Sequence, residues 1–348
     1  MTQAELSGLT QLGSLPPVRQ VDNVRPDNLN DKILCSTTPI VLKGFCNNWP
    51  LVKEGKKGSK AAADYLMQYY KGQPVSAGYA EPETQGRIFY NEAVDGFNFK
   101  VATIPLPTVL KTILDNQGVQ QPPTAYMGST PVDTLLPNFR DAHNAQLSDK
   151  NAMANIWIGN QSRIAAHYDF PNNLACCLTG RRRFTLFPPE QLCNLYVGPL
   201  EFSPGGQEIS MVDFANPDFD KFPKFANALA AASVAELESG DALYMPGMWW
   251  HHVQALDALN VLMTHWWLPT AAHSGRPIDA LQMAIMSIRN LPPEQRAAWK
   301  NMFDYYVFEQ EHHSHNHIPT RAQGMLRDNI DKAAAQKIKL NLIEKLKR

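Results

Sequence analysis

The chain has 348 residues, 44% of them apolar, a net charge of −1 and a pI near 6.8. That length suits one large domain with additions, or two domains, around a sizeable core. The near-neutral charge excludes a global electrostatic pull toward nucleic acid or anionic membrane, and leaves room for a local basic patch. Apolar runs are short, so no transmembrane helix is expected. Met1 to Pro17 lacks a basic stretch followed by an apolar one, so no signal peptide is expected. The five cysteines, Cys35, Cys46, Cys176, Cys177 and Cys193, are odd in number and form no Cys-x-x-Cys pair. Reduced thiols in a cytoplasmic protein are the natural reading.

Residues 1 to about 35 are polar with scattered prolines and read as a weakly structured lead-in. Pro39–Phe45 reads as a buried strand. Ser59 is placed as the N-cap of a helix carrying Ala62, Ala63, Leu66, Tyr69 and Tyr70, which Gly72 stops. Arg87–Tyr90 reads as a short strand. Leu106, Val109, Leu110, Ile113 and Leu114 predict a second helix ending at Gly118. From about 125 to 268 short β-type runs alternate with turns: Ala125–Met127, Asn155–Ile158, Ile164–Asp169, Asn173–Leu178, Arg183–Phe187, Ala242–Met245, His252–Ala255 and Val261–Leu268. Strands at this spacing predict a sandwich or barrel. Leu192–Ser239 is too long for a hairpin loop and reads as an insertion between core strands. Beyond Pro269 come three helical stripes, Ile278/Leu281/Ile285/Ile288, Trp299/Met302/Phe303/Tyr306 and Ile330/Ala334/Ile338/Leu342/Leu346, and there is no internal repeat. The expected division is 1–124 for N-terminal α/β elements packing on the core, 125–268 for a β catalytic core, and 269–348 for a helical extension.

The chemistry centres on His167-Tyr168-Asp169. On a strand, residues i and i+2 share a face, so the imidazole and the carboxylate project side by side. Two histidines and one carboxylate with open positions are the ligand set of a non-haem Fe(II) oxygenase. The second histidine is sought in Tyr244–Val253, where a Pro-Gly turn and paired tryptophans precede His251-His252. Adjacent strand residues face opposite ways, so one of the two can face the metal. His251 is assigned that place and His252 the other face. An iron oxygenase also needs an electron source, usually 2-oxoglutarate, whose far carboxylate needs a cation. Arg181, Arg182 and Arg183 offer one; by alternation Arg182 shares a face with Phe184 and Leu186, while Arg181 and Arg183 take the other. The run His312-His-Ser-His-Asn-His317 could bind zinc or nickel, but polar neighbours and a loop setting favour a solvated surface cluster.

Several stretches together resemble the cupin-like, JmjC-type 2-oxoglutarate oxygenases, above all the asparaginyl hydroxylases that act on hypoxia-inducible factor. They are His167–Asn173, Phe184–Pro189, Val212–Pro217, Phe222–Phe225 and Tyr244–Val253, with Cys46–Pro50 and Ile88–Asn91 toward the N-terminus. The resemblance covers roughly residues 35 to 270. It implies a mainly β double-stranded β-helix core with α elements, using Fe(II) and 2-oxoglutarate. It implies His167, Asp169 and His251 as iron ligands, and Arg182 at the place of a lysine that binds the distal carboxylate. It implies Tyr126, Asn173, His265 and Trp267 as further residues beside cosubstrate or substrate. Ile164 stands where those hydroxylases have a threonine that helps hold 2-oxoglutarate, which with Arg182 implies a re-formed distal pocket. The activity implied is hydroxylation of a protein or peptide side chain, with release of succinate and CO2. An oxygenase of a small molecule or modified RNA base, and a metal-binding cupin without turnover, are the alternatives. The C-terminal helices imply a homodimer.

Overall fold

The alternating apolar pattern of the middle of the chain produces two facing β-sheets. The computed structural model describes residues 15–308, 315–327 and 330–347. Its strands, in chain order, are β1 (Gln20–Val21), β2 (Ile40–Leu42), β3 (Pro74–Ala80), β4 (Arg87–Ile88), β5 (Lys100–Pro105), β6 (Thr124–Pro131) and β7 (Met153–Gly159). Then follow β8 (Ser162–Tyr168), β9 (Asn172–Thr179), β10 (Arg182–Phe187), β11 (Ser233–Leu237), β12 (Ala242–Met245), β13 (Trp250–Ala255) and β14 (Asn260–Trp267). A nine-stranded sheet has the order β1-β2-β12-β9-β14-β7-β6-β3-β5, and a five-stranded sheet the order β11-β10-β13-β8-β4. The apolar cluster between them takes Val41, Ala175, Leu243 and Leu262 from the large sheet, and Phe184, Leu186, Leu237 and Val253 from the small one. This is the expected mainly β, cupin-type core with flanking helices.

Strand parity sorts the large sheet's side chains between two cores. Leu174, Cys176, Val261 and Met263 point outward, where they meet the apolar stripes of helices Pro50–Gly55, Ser59–Tyr69 and Leu106–Asp115. Burying a leucine or valine in such a layer contributes about 1.5–3 kcal/mol each, so these helices are firmly held to the sheet. On the outside of the small sheet, Phe187 and Trp250 meet Leu195, Phe214 and Phe225 from the long connection between β10 and β11.

Four sequence readings need correction. β3 and β5 were not foreseen; β3 carries Ser76, Ala77 and Gly78, of weak strand propensity, while β5 is a mostly exposed edge strand with no apolar alternation to mark it, and their antiparallel pairing makes both strands. The insertion does not run unbroken to Ser239, because β11 pairs antiparallel with β10 from Arg182↔Leu237 to Leu186↔Ser233. The lead-in is structured from its described start: the Val18 N–H donates to the Val234 carbonyl (2.8 Å), and β1 runs parallel to β2. The N-cap of the helix at Ser59–Tyr69 is Gly58, at φ +135°, with Ser59 as the first helical residue. A glycine suits that positive φ, which a serine would strain.

The chain divides into two compact units, one ending at Leu268 and the other beginning at Pro269. The first 124 residues supply both edges of the large sheet, β1 and β5. The second unit holds the helices Pro277–Ile288, Pro293–Phe303 and Lys332–Leu346. The first two have no buried residue, and Trp299 (42%), Met302 (46%) and Tyr306 (49%) stand exposed. His312 and His313 lie outside the described residues; His315 and His317 lie in a turn. Among the described residues no helix is long and apolar enough to cross a membrane.

Candidate metal centre

β8 and β13 are antiparallel neighbours, and their register sets His251 directly opposite His167. Asp169 follows immediately after β8. The ligand atoms of His167, Asp169 and His251 all lie within 4.8 Å of one another, the one such group among the described residues. His251 Nε2 is 3.7 Å from Asp169 Oδ2, and the two imidazole rings are 4.3 Å apart between centroids.

The start of β13 is fixed by a tight turn. The Met248 N–H donates to the Asp169 carbonyl (2.7 Å) and the Gly247 N–H to Asn172 Oδ1 (2.9 Å). A Cβ on Gly247 would lie 2.3 Å from the Phe170 carbonyl oxygen, so this close approach admits only glycine. The turn thereby holds the strand bearing His251 against the segment bearing Asp169.

Each ligand is oriented from behind. His167 Nδ1 is 2.9 Å from the Ala165 carbonyl, and His251 Nδ1 is 2.9 Å from the Trp249 carbonyl. A carbonyl only accepts, so both Nδ1 atoms carry the proton and both Nε2 lone pairs face the centre. Burial, followed by the neighbouring His167, pushes the His251 imidazole down to about 4, so it stays neutral and available as a ligand. Asp169 Oδ1 accepts from Gln207 Nε2 (2.8 Å). His252, one residue on, points to the opposite face and stacks on Phe214 at 4.7 Å. Two imidazoles and one carboxylate on one side of a cavity fit a non-haem Fe(II) ion.

The cavity beside this triad has a volume of about 350 Å³ and is lined by both sheets. Arg182 lies in its wall, 3% exposed, and its Nε has no partner. Burial lowers its pKa from the ordinary value, as expected of a cation taken out of water. Its neighbours are engaged elsewhere: Arg181 with Asp257 (2.9 Å) and Arg183 with Glu236 (2.5 Å). An unpaired buried guanidinium in a cavity wall is costly unless an anion completes it, so the residues present also fit a small dicarboxylate. Tyr126 lines the same cavity; burial pushes its phenol up to about 12, which keeps the O–H as a donor. Asn173 lines it too, with its Oδ1 unpartnered, and Ile164 contributes an apolar stretch of wall.

His265 and Trp267 do not line the cavity. On β14 the cavity face is Leu262, Thr264 and Trp266. His265 turns outward with Nδ1 3.3 Å from the Leu174 carbonyl, and Trp267 stacks on Tyr244 in the helix-covered core. The sequence placement was therefore off by one residue, which on a strand exchanges the faces. Thr264 accepts from Trp157 Nε1 (3.0 Å), and the Trp266 indole N–H is buried without a partner. Gln207, Trp157, Thr264 and Trp266 were all missed. Gln207 sits in the long connection, where no periodicity exists to signal a direction.

The description of a cupin-like domain matches residues 26–273. The chain belongs to the cupin-like domain family. Among its relatives are proteins with JmjC-type names. Lysine-specific demethylase 8 of Xenopus tropicalis is 26% identical over 69% of this chain and 50% of its own length. Lysine-specific demethylase JMJ31 of Arabidopsis thaliana is 30% identical over 39% of this chain and 23% of its own length. tRNA wybutosine-synthesizing protein 5 of Gallus gallus is 31% identical over 44% of this chain and 50% of its own length. The chain thus spans half or less of the length of these relatives. The cupin-like fold with a JmjC-type resemblance is what the motifs at His167–Asn173 and Tyr244–Val253 foretold.

Proposed function

We propose that this cupin-like protein is an Fe(II)- and 2-oxoglutarate-dependent oxygenase that hydroxylates a protein or peptide side chain. The observation that carries the reading is the pairing of the His167/Asp169/His251 triad with an unpartnered, buried Arg182 in one cavity. Bound together, iron and 2-oxoglutarate would supply the oxidising power, with O2 giving one oxygen atom to succinate and one to the hydroxylated product, and CO2 released. The protein's part is to hold and to exclude. His167, Asp169 and His251 would hold the ion. Arg182 would take the far carboxylate through paired charge-assisted bonds, with the Tyr126 O–H as a second donor. Phe184, Ile164 and Trp266 keep water from the reacting centre.

Among the described residues Asp169 is the only acidic one lining the cavity, which favours an uncharged side chain as substrate. A modified RNA base is the second reading. It is supported by the likeness to the tRNA wybutosine-synthesizing protein and by the aromatic walls Tyr126, Trp157 and Trp266. The net charge of −1 argues for a protein partner over a polyanion. A cytoplasmic homodimer, joined through the exposed aromatic stripe of the C-terminal unit, belongs to the same proposal.

The test is succinate formation from 2-oxoglutarate with iron and ascorbate, followed without prime substrate and then with peptide pools or transfer RNA. Uncoupled succinate release that Asp169→Ala abolishes is expected, together with a mass gain of one oxygen on peptide. No succinate above the iron-free control under any condition would refute the oxygenase reading.

A further inference from the structure

A metal-binding carboxylate has two oxygens, and something must decide how many of them the ion receives. We propose that Gln207 is a positioning residue that reserves Asp169 Oδ1 and so presents Asp169 to the metal through Oδ2 alone. The proposal rests on the reading of His167, Asp169 and His251 as ligands.

The geometry is specific. Gln207 Nε2 donates to Oδ1 at 2.8 Å, while Oδ2 faces His251 Nε2 at 3.7 Å. Gln207 is the one described side chain that donates to this carboxylate, and it lines the same cavity. Its chemistry suits the task. A neutral amide satisfies one oxygen without bringing a positive charge that would compete with the cation. A lysine or arginine there would neutralise the ligand it holds.

Gln207 is also held in register with the ligands. Upstream, the Gly206 N–H donates to Ser203 Oγ (2.8 Å), in a turn where Gly206 has φ +91°. Downstream, the Ser210 N–H donates to the Ala166 carbonyl (2.7 Å), next to His167 on β8. The Gly198 N–H donates to the Ile209 carbonyl and the Met211 N–H to the Tyr196 carbonyl, both at 2.9 Å, so the segment is a laced ribbon rather than a free loop. The amide's reach is thus measured from the strand that carries the metal ligands. The consequence is coordination number. Two imidazoles and one oxygen leave three positions of an octahedral ion open, enough for a chelating keto acid and O2; a chelating carboxylate would leave two.

Cobalt(II) titration of the full-length apo protein tests this without turnover. Wild type should bind one Co(II). Gln207→Met keeps the volume and loses the donor, and Gln207→Asn is too short to reach Oδ1. Both should bind Co(II) about 10–100-fold more weakly, the range found when a partner behind a metal ligand is removed. Both should also show an altered visible spectrum, as the freed carboxylate turns to chelate, while the apo proteins melt as wild type does. Affinity within about threefold of wild type, far below that range, with an unchanged spectrum in either variant, would overturn the proposal and leave the metal site standing. Early melting of both apo variants would assign Gln207 to structure and overturn it as well. Failure of wild type to bind Co(II) would remove the metal reading itself, and this proposal with it.

Discussion

Replacing Arg182 by methionine isolates what the buried guanidinium does. Arg182 is 3% exposed, has no partner on Nε, and lines the cavity that holds the triad. If it anchors the far carboxylate of 2-oxoglutarate, the substitution leaves that carboxylate desolvated opposite a thioether, at a cost of about 3–5 kcal/mol. The lower figure is the better guide, because the cavity opens to water; about 3 kcal/mol weakens binding roughly 150-fold. The assay is a thermal and calorimetric titration of the Co(II)-loaded protein with 2-oxoglutarate. At a concentration about 100 times the wild-type dissociation constant, ligand stabilises wild type by about 2.7 kcal/mol, whereas a site roughly 150-fold weaker gains only about 0.3 kcal/mol. The apo variant should be no less stable than apo wild type, since methionine fills the space without an orphaned cation. Arg181→Met and Arg183→Met lose partly exposed pairs with Asp257 and Glu236, worth about 0–1 kcal/mol of stability, and should bind 2-oxoglutarate as wild type does. Equal losses at all three arginines, or an Arg182→Met affinity within about threefold of wild type, would refute the reasoning.

Three further predictions follow from the same geometry. His251→Ala should lose the metal in an iron-stoichiometry measurement after anaerobic loading, while His252→Ala, which removes a ring stacked on Phe214 outside the cavity, should retain most of it; the reverse result would place the wrong histidine at the centre. His143 accepts from the Leu51 N–H (3.1 Å) and donates to the Phe139 carbonyl (2.8 Å), and burial pushes it down to about 4. Its folded pKa lies below the unfolded value of about 6.5, so between the two the unfolded chain binds more protons; the stability is present above pH 6.5 and falls by about 2 kcal/mol at pH 5. Denaturant unfolding of the apo protein at pH 7.5 and pH 5 should show a pH loss smaller by that amount in His143→Gln, and an identical loss in both proteins would refute it. Light scattering should give a dimer mass for the full chain and a monomer mass for Met302→Glu/Tyr306→Glu, both residues being exposed on the C-terminal unit; a monomeric wild type at micromolar concentration would end the dimer proposal.

Much of this centre is legible in the sequence because strand alternation is a local rule. His167 and Asp169 share a face by their spacing alone. The choice of His251 over His252, and the separation of Arg182 from Arg181 and Arg183, rest on the same parity. The structure keeps all of these on the sides alternation predicts. The cupin-like fold follows from the run of short strands between residues 125 and 268. Other features depend on contacts that no local pattern encodes. β14 is buried on both faces, between the cavity and the helix-covered core, so its apolar residues show no alternation to read. Only the pairing Trp266↔Asn173 sets Thr264 and Trp266 toward the triad and turns His265 and Trp267 away. β3 forms on the edge that β6 offers and β5 on the edge that β3 offers, pairings that no local pattern encodes. Gln207 reaches Asp169 from 38 residues away along the chain, through a connection without periodicity. Sequence determined which residues can share a face; tertiary structure decided which faces meet, because pairing and burial are long-range terms that a local pattern does not contain.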